Sequence, residues 1–317
     1  MREALFVKQN SEKWQHYDSM QQANPDEVAN QFIEITNDLA YSKTFYPNSK
    51  TTAYLNGLAS KLHQSVYKNK KEKSNRFVHF WKTELPLIFL EHRKQVFYAF
   101  AFFLISCAIG ALSAKYDDTF VRLIMGDSYV NMTNENIAKG DPFGVYKQDN
   151  SFMMFMQIGA NNIYVALYTF VLGIIFSFGS IVSLFRNGVM LGSFQYFFFS
   201  KGLGYQSVLV IWIHGTLEIS AIVLAGAAGI ILGNSFLFPK TYTRMASVLK
   251  GAKDGLKIVI GLIPIFIVAA FFESFVTRHT EMPVWLSIII LLSSAAFIIW
   301  YVIIYPIKIN RKLPSLD

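Results

Sequence analysis

The stretch IWIHGTLEIS, residues 211 to 220, lies inside an apolar run that extends from residue 207 to residue 233. These 27 residues, at a rise of about 1.5 Å each, are enough to cross a bilayer as one helix. The two ionisable residues of the run are His214 and Glu218, and a spacing of four places both on one helix face. Because an ionisable group is costly in lipid, we expect this face to contact protein.

The composition predicts a membrane protein with a water-soluble portion. Charged residues make up 16% of the 317 residues, against about 25% in a typical soluble domain. Of the 29 Lys and Arg residues, 14 fall in the first 95 positions. Basic charge beside apolar segments is typical of the positive-inside rule, so nucleic acid is not an expected partner. The single cysteine, Cys107, excludes a disulfide within one chain.

Apolar runs predict about six membrane-spanning helices, at residues 96–114, 163–185, 187–203, 207–233, 258–277 and 284–305. The run 187–203 is the shortest, and its length leaves open whether it crosses or is re-entrant. Charge favours crossing: the loop 234–257 has five basic residues and is expected inside, so the preceding helix must begin outside. We expect the turn before this short span at Asn187-Gly188.

The expected fold is all-α, a polytopic membrane helical bundle with a water-soluble region before it. The domain prediction has three parts: a cytoplasmic helical region at 1–95 with a break at Tyr46-Pro47, a transmembrane bundle at 96–308, and a cytoplasmic tail at 309–317. The loop 115–152 has four basic and six acidic residues, which suits the extracytoplasmic side. Both termini are thus expected in the cytoplasm, and the loop is interpreted as a lid or a docking surface.

Small and polar residues recur on one face of several predicted spans. On the fourth span, Ala221, Ala225 and Gly229 continue the face of His214. Small residues in line permit a close approach of another helix, within one chain or in a second copy. A similar stripe on the second span consists of Asn162, Ala166, Thr169, Gly173, Ser177 and Ser180.

Helix rise predicts that the polar residues of three spans meet at one depth, in the outer half of the bilayer. The fourth span begins outside, and the fifth ends outside, shortly after Glu273. We therefore predict one intramembrane polar pocket, lined by His214, Glu218, Glu273, Asn161, Asn162 and Thr277.

Several motifs resemble the stage II sporulation protein M family: His214-Gly215-x-x-Glu218, Glu273-Ser274, and Asn162 with Asn187-Gly188. The segment FVKQNSEKW near the start and MGDSYVNMTNENIAKGDPFGVYK at 125–147 are similar to the non-sporulation bacterial branch. The resemblance covers nearly the whole chain. It implies a bacterial inner-membrane protein with several spans. The sporulation member works with cell-wall hydrolases during engulfment, a role that the resemblance does not transfer.

The polar pocket favours a non-enzymatic function as a transporter or channel, because intramembrane acids and histidines often mark ion or proton paths. Two other readings stay open. The polar groups of the pocket would also hydrogen-bond between helices, at about 0.6 to 2 kcal/mol each. The family resemblance implies a membrane scaffold for cell-envelope enzymes, with envelope proteins and membrane lipid as partners.

A further alternative is an intramembrane metal-dependent hydrolase. His214, Glu218 and Glu273 are acceptable zinc ligands, and His279 is the one nearby histidine to complete the set. No HExxH motif is present, which counts against this alternative. The sequence names no cofactor, substrate or oligomeric state.

Overall fold

The computed structural model describes residues 2–19, 25–67, 76–117, 119–147, 150–279 and 282–311. The chain divides into two units, at residues 1–76 and 77–317. Residues 312–317 of the predicted tail lie outside the described part. Within the described residues the regular structure is helical and contains no strand, which confirms the all-α prediction.

The described residues of the first unit form three helices, α1 (Glu3–Ser19), α2 (Pro25–Phe45) and α3 (Lys50–Tyr67). Its core is apolar and includes Phe6, Trp14, Ile35 and Leu55. The indole N–H of Trp14 donates a 2.8 Å hydrogen bond to Asp38, so its polar edge is satisfied. The chain breaks between α2 and α3 at the predicted Tyr46-Pro47. Ser49 then caps α3, because its hydroxyl accepts from the backbone N–H of Thr52 at 3.1 Å.

The rest of the chain adds eleven α-helices in the described residues: α4 (Arg76–His79), α5 (Leu85–Glu91), α6 (Arg93–Tyr116), α7 (Phe120–Met125), α8 (Asp127–Ala138), α9 (Ser151–Val171), α10 (Phe178–Ser200), α11 (Gly204–Leu237), α12 (Arg244–Phe271), α13 (Val284–Ile299) and α14 (Tyr305–Asn310). Among the described residues, two π-helical turns connect helices without a break, Phe80–Glu84 between α4 and α5 and Trp300–Ile304 between α13 and α14. A third, Phe272–Val276, extends α12 at its end.

Five helical segments among the described residues are long and apolar enough to cross a membrane: Arg93–Tyr116, Ser151–Ile174, Gly204–Leu237, Arg244–Val276 and Val284–Asn310. The short third span of the prediction corresponds to α10. Its 23 residues give a length of about 35 Å, but Arg186, Asn187 and Gln195 lower its hydropathy and it is not among the five. These segments support a membrane protein.

The predicted turn at Asn187-Gly188 is wrong. The chain turns earlier, where Phe176 and Ser177 have φ values of 48° and 69°, and α10 then runs unbroken through Asn187. A tertiary contact accounts for the difference: the Ser177 hydroxyl donates a 3.1 Å hydrogen bond to the carbonyl of Ile230 in α11. The predicted polar stripe of the second span is therefore divided between α9 and α10.

Helices approach closely at several of the small residues. Gly173 leaves no room for a Cβ atom, because the backbone of Gly229 lies against it. Gly188 and Gly192 of α10 lie in the same way against α6, near Ser106 and Cys107 respectively. The order of these contacts along both helices shows that α6 and α10 run parallel.

The second unit begins at residue 77, well before the predicted bundle at 96. Leu85, Ile88 and Phe89 of α5 are buried in its core. The indole N–H of Trp81 donates a 3.3 Å hydrogen bond to the carbonyl of Gly261, and Lys257 pairs with Glu84. Residues 77–92 therefore belong to the membrane unit rather than to the helical region before it.

Candidate functional site

The long helix α11 positions His214 and Glu218. His214 is buried, with 4% of its surface exposed. Its Nδ1 atom forms a 3.0 Å hydrogen bond with Oγ1 of Thr277, which follows α12. An imidazole whose Nδ1–H donates to the threonine presents the lone pair of Nε2 on its other side.

The π-helical turn Phe272–Val276 places the second acid of the site. Glu273 lies in this turn, and the N–H of Thr277 donates to the carbonyl of Phe272 at 2.8 Å, five residues back. Single π turns inside α-helices frequently mark functional sites. Here the turn brings Oε2 of Glu273 to 3.9 Å from Nε2 of His214.

His214, Glu218 and Glu273 form one cluster, in which the histidine is buried and the two glutamates are half-buried. One nitrogen or oxygen atom from each lies within 4.8 Å of the others. Two carboxylates this close repel strongly in a medium of low dielectric, so protons or a cation must offset their charges. Imidazole nitrogen and carboxylate oxygen are both acceptable ligands for zinc-like divalent metals.

Asn162 of α9 completes the wall of the cluster beside Glu218. Its side chain lies next to the Glu218 carboxyl group, and its buried Nδ2 atom makes no hydrogen bond of good geometry with a described residue. The fully buried Ser274 hydroxyl is equally without a partner in the described part of the chain; the sequence analysis named Ser274 only as part of the family motif and not as a pocket residue. Asn161, which was predicted to line the pocket, is exposed because the next position lies about 100° around the helix.

A cavity of about 390 Å³ lies beside the cluster. Its walls include Ile213, which precedes His214 in the sequence, and Thr277, whose hydroxyl is hydrogen-bonded to His214. Residues 140–143 of the predicted loop line it too, as does His279, so the loop covers this end of the bundle. His279 does not belong to the cluster of His214, Glu218 and Glu273.

A second polar cluster was not predicted from the sequence. Ligand atoms of Glu91, His92 and Asp254 lie within 4.8 Å of one another. Nε2 of His92 is 3.1 Å from Oδ2 of Asp254, and Lys250 pairs with Glu91 at 2.5 Å. One feature of the sequence could have indicated this cluster: segment 234–257 has five basic residues and a single acidic one, Asp254. Since Lys250 offsets the acidic charge, we interpret this cluster as an ion-pair network that joins α5 to α12.

Comparison with known families gives two matches. Residues 99–278, more than half of the chain, match the family model described as Stage II sporulation protein M. Residues 4–68 match a model described as Domain of unknown function (DUF8413). No curated protein and no solved structure matches the chain. The first match includes His214, Glu218 and Glu273 and confirms the resemblance that the motifs indicated.

Proposed function

This chain belongs to the stage II sporulation protein M family, and we propose that it is a transporter or channel that moves a cation through the polar pocket of the bundle. The observation that carries the proposal is the cluster itself. His214, Glu218 and Glu273 converge in helices of membrane-spanning length. Ionisable groups inside the membrane are expensive, and where they occur they mark ion paths and proton relays.

Access to the cluster supports the proposal. The cavity of about 390 Å³ reaches Thr277, whose hydroxyl is bonded to His214. An ion or proton entering from this cavity would therefore meet the threonine and the imidazole before the two glutamates. The small residues along α11, such as Ala221 and Ala225, are fully buried and permit helix sliding without loss of bulky contacts.

The proposal includes a place and an orientation: the bacterial inner membrane, crossed by α10 as well as by the five apolar segments, with both termini in the cytoplasm. The parallel packing of α10 along α6 supports a crossing, because α6 is itself one of the five segments. With this orientation the cavity beside Thr277 opens on the outer side, beneath the loop.

Flux through purified protein in sealed vesicles tests the function. We expect proton or divalent-cation flux from wild-type protein, and loss of that flux in Glu218→Gln and in Glu273→Gln. Each change keeps the side-chain shape and removes the charge. The matched control is Glu135→Gln, because Glu135 is exposed on α8. Flux that is equal in all four proteins would rule out the pocket as the path.

The three-ligand cluster also favours a second candidate, the metal-dependent hydrolase. Zinc hydrolases bind their metal with three protein ligands and keep one position open for water. Metal analysis of purified wild-type protein and His214→Ala separates the candidates. A stoichiometric metal that is lost in the variant, together with no flux in vesicles, would support the hydrolase against the transporter.

A further inference from the structure

The face of α11 that points away from the polar pocket carries Trp212, Thr216 and Ser220. These residues are spaced by four, and they lie about 200° around the helix from His214 and Glu218. The Thr216 hydroxyl donates to the carbonyl of Trp212 at 2.7 Å, and the Trp212 indole donates to Gln195 at 2.9 Å. With the Thr216 hydroxyl and the Trp212 indole satisfied inside the protein, the face is suited to apolar contacts.

This face forms the floor of a long groove beside α6. One cavity of about 720 Å³ lies between α6, α10 and α11, and another of about 520 Å³ lies between α6, α11 and α13. Both are lined by Phe100, Thr216 and Ser220, so the two are continuous. We call the combined feature the α6 groove.

A basic residue stands at each end of the α6 groove. Arg93 lines one end and Lys115 lines the other. Their separation along α6 corresponds to about 33 Å at the rise of a helix, close to the roughly 30 Å of a bilayer hydrocarbon core. Neither residue forms an ion pair with another residue that the structure describes.

We propose that the α6 groove binds anionic phospholipid, one molecule from each leaflet, with the acyl chains in the groove and the headgroup phosphates at Arg93 and Lys115. The apolar walls fit acyl chains, and basic residues beside grooves between membrane helices attract anionic headgroups. The charge at the two ends favours lipid over a second copy of the chain. This inference does not depend on the transport proposal, because the groove and the polar pocket use opposite faces of α11.

Native mass spectrometry of the full chain tests lipid binding, with dioleoyl phosphatidylglycerol and dioleoyl phosphatidylcholine added in equal amounts. We expect preferential retention of phosphatidylglycerol. Arg93→Ala and Lys115→Ala should each weaken that binding by about fivefold. The control is Lys94→Ala, since Lys94 is exposed and does not line the groove.

A second pair of variants tests the groove itself. Ala108→Trp fills the larger cavity and should remove the phospholipid molecule held at Lys115, whereas Ile109→Trp should not, because Ile109 is exposed outside the groove. Equal retention of the two lipids, or unchanged retention in Ala108→Trp, would overturn the proposal. So would a wild-type dimer that Ala108→Trp dissociates, because a second copy would then occupy the groove.

Discussion

Nδ1 of His214 and Oγ1 of Thr277 lie 3.0 Å apart, although 63 positions separate these residues in the sequence. The contact joins α11 to the end of the π-helical turn after α12, and it orients the imidazole so that Nε2 faces Glu273. The cluster is thus assembled by two helices that hold each other through a buried polar contact. Four predictions test this arrangement and its surroundings.

Thr277→Val should destabilise the membrane unit and weaken cation binding together. The valine removes the hydroxyl that is hydrogen-bonded to Nδ1 of His214 in a buried site, at a cost of about 0.6 to 2 kcal/mol. Unfolding in mixed micelles with increasing dodecyl sulfate measures the loss. Thr277→Ser keeps the hydroxyl and should behave as wild type; if both variants unfold alike, the contact contributes nothing.

Gly173→Ala should disrupt the bundle far more than Gly215→Ala. A Cβ atom at Gly173 would overlap the backbone of Gly229, whereas one at Gly215 would meet no atom within 4 Å. Since alanine is the better helix former, the change at Gly215 should stabilise α11 by about 0.5 to 1 kcal/mol. Yield and thermal stability in detergent measure the difference, and equal effects at the two glycines would contradict the close packing of Gly173, in the turn after α9, against α11.

Asp254→Asn should loosen α5. The pair of Asp254 with His92 lies near the C-terminal end of α11, away from His214. The Asp254 side chain is 12% exposed and pairs with His92, so its removal leaves the histidine without its anionic partner. Hydrogen exchange of residues 85–92 should become faster. The control is Asp127→Asn, whose pair with Arg122 is exposed and should contribute little. Unchanged exchange in α5 would show that the network does not hold this segment.

Leu85→Ala should destabilise the membrane unit by about 2 to 5 kcal/mol, as for other buried leucines. Leu85 is 1% exposed and fills the space above Gly261, while Leu123 is 78% exposed and serves as the control in Leu123→Ala. Chemical unfolding compares the two variants. A small effect at Leu85 would place residues 77–92 outside the membrane core, as the sequence analysis had expected.

A scaffold role and self-association are two further predictions from the sequence. The scaffold role for cell-envelope enzymes depends on a partner, and pull-down with the full chain against a variant without residues 116–150 would measure that binding. Self-association through the small-residue stripes is less favoured by the packing, because Gly173, Gly188 and Gly229 already contact helices of the same chain.

Much of the site followed from local periodicity. The helical spacing of four placed His214 and Glu218 on one face, and the cost of charge in lipid predicted that this face meets protein. The same arguments predicted that Glu273, Asn162 and Thr277 would join them. The prediction for Asn161 was wrong because it rested on the depth of the residue in the bilayer. Depth along a helix does not specify in which direction around the axis a side chain points.

The sequence by itself determined the helical class, the apolar segments and the shared face of His214 and Glu218, since these depend on helix period and on the cost of desolvation. Tertiary structure decided the rest. The turn at Phe176 and Ser177 lies in an apolar run with no local break, and it forms because Ser177 packs against α11. The π-helical turn at Glu273 and the docking of residues 77–92 likewise arise from contacts between distant residues, which no local pattern encodes.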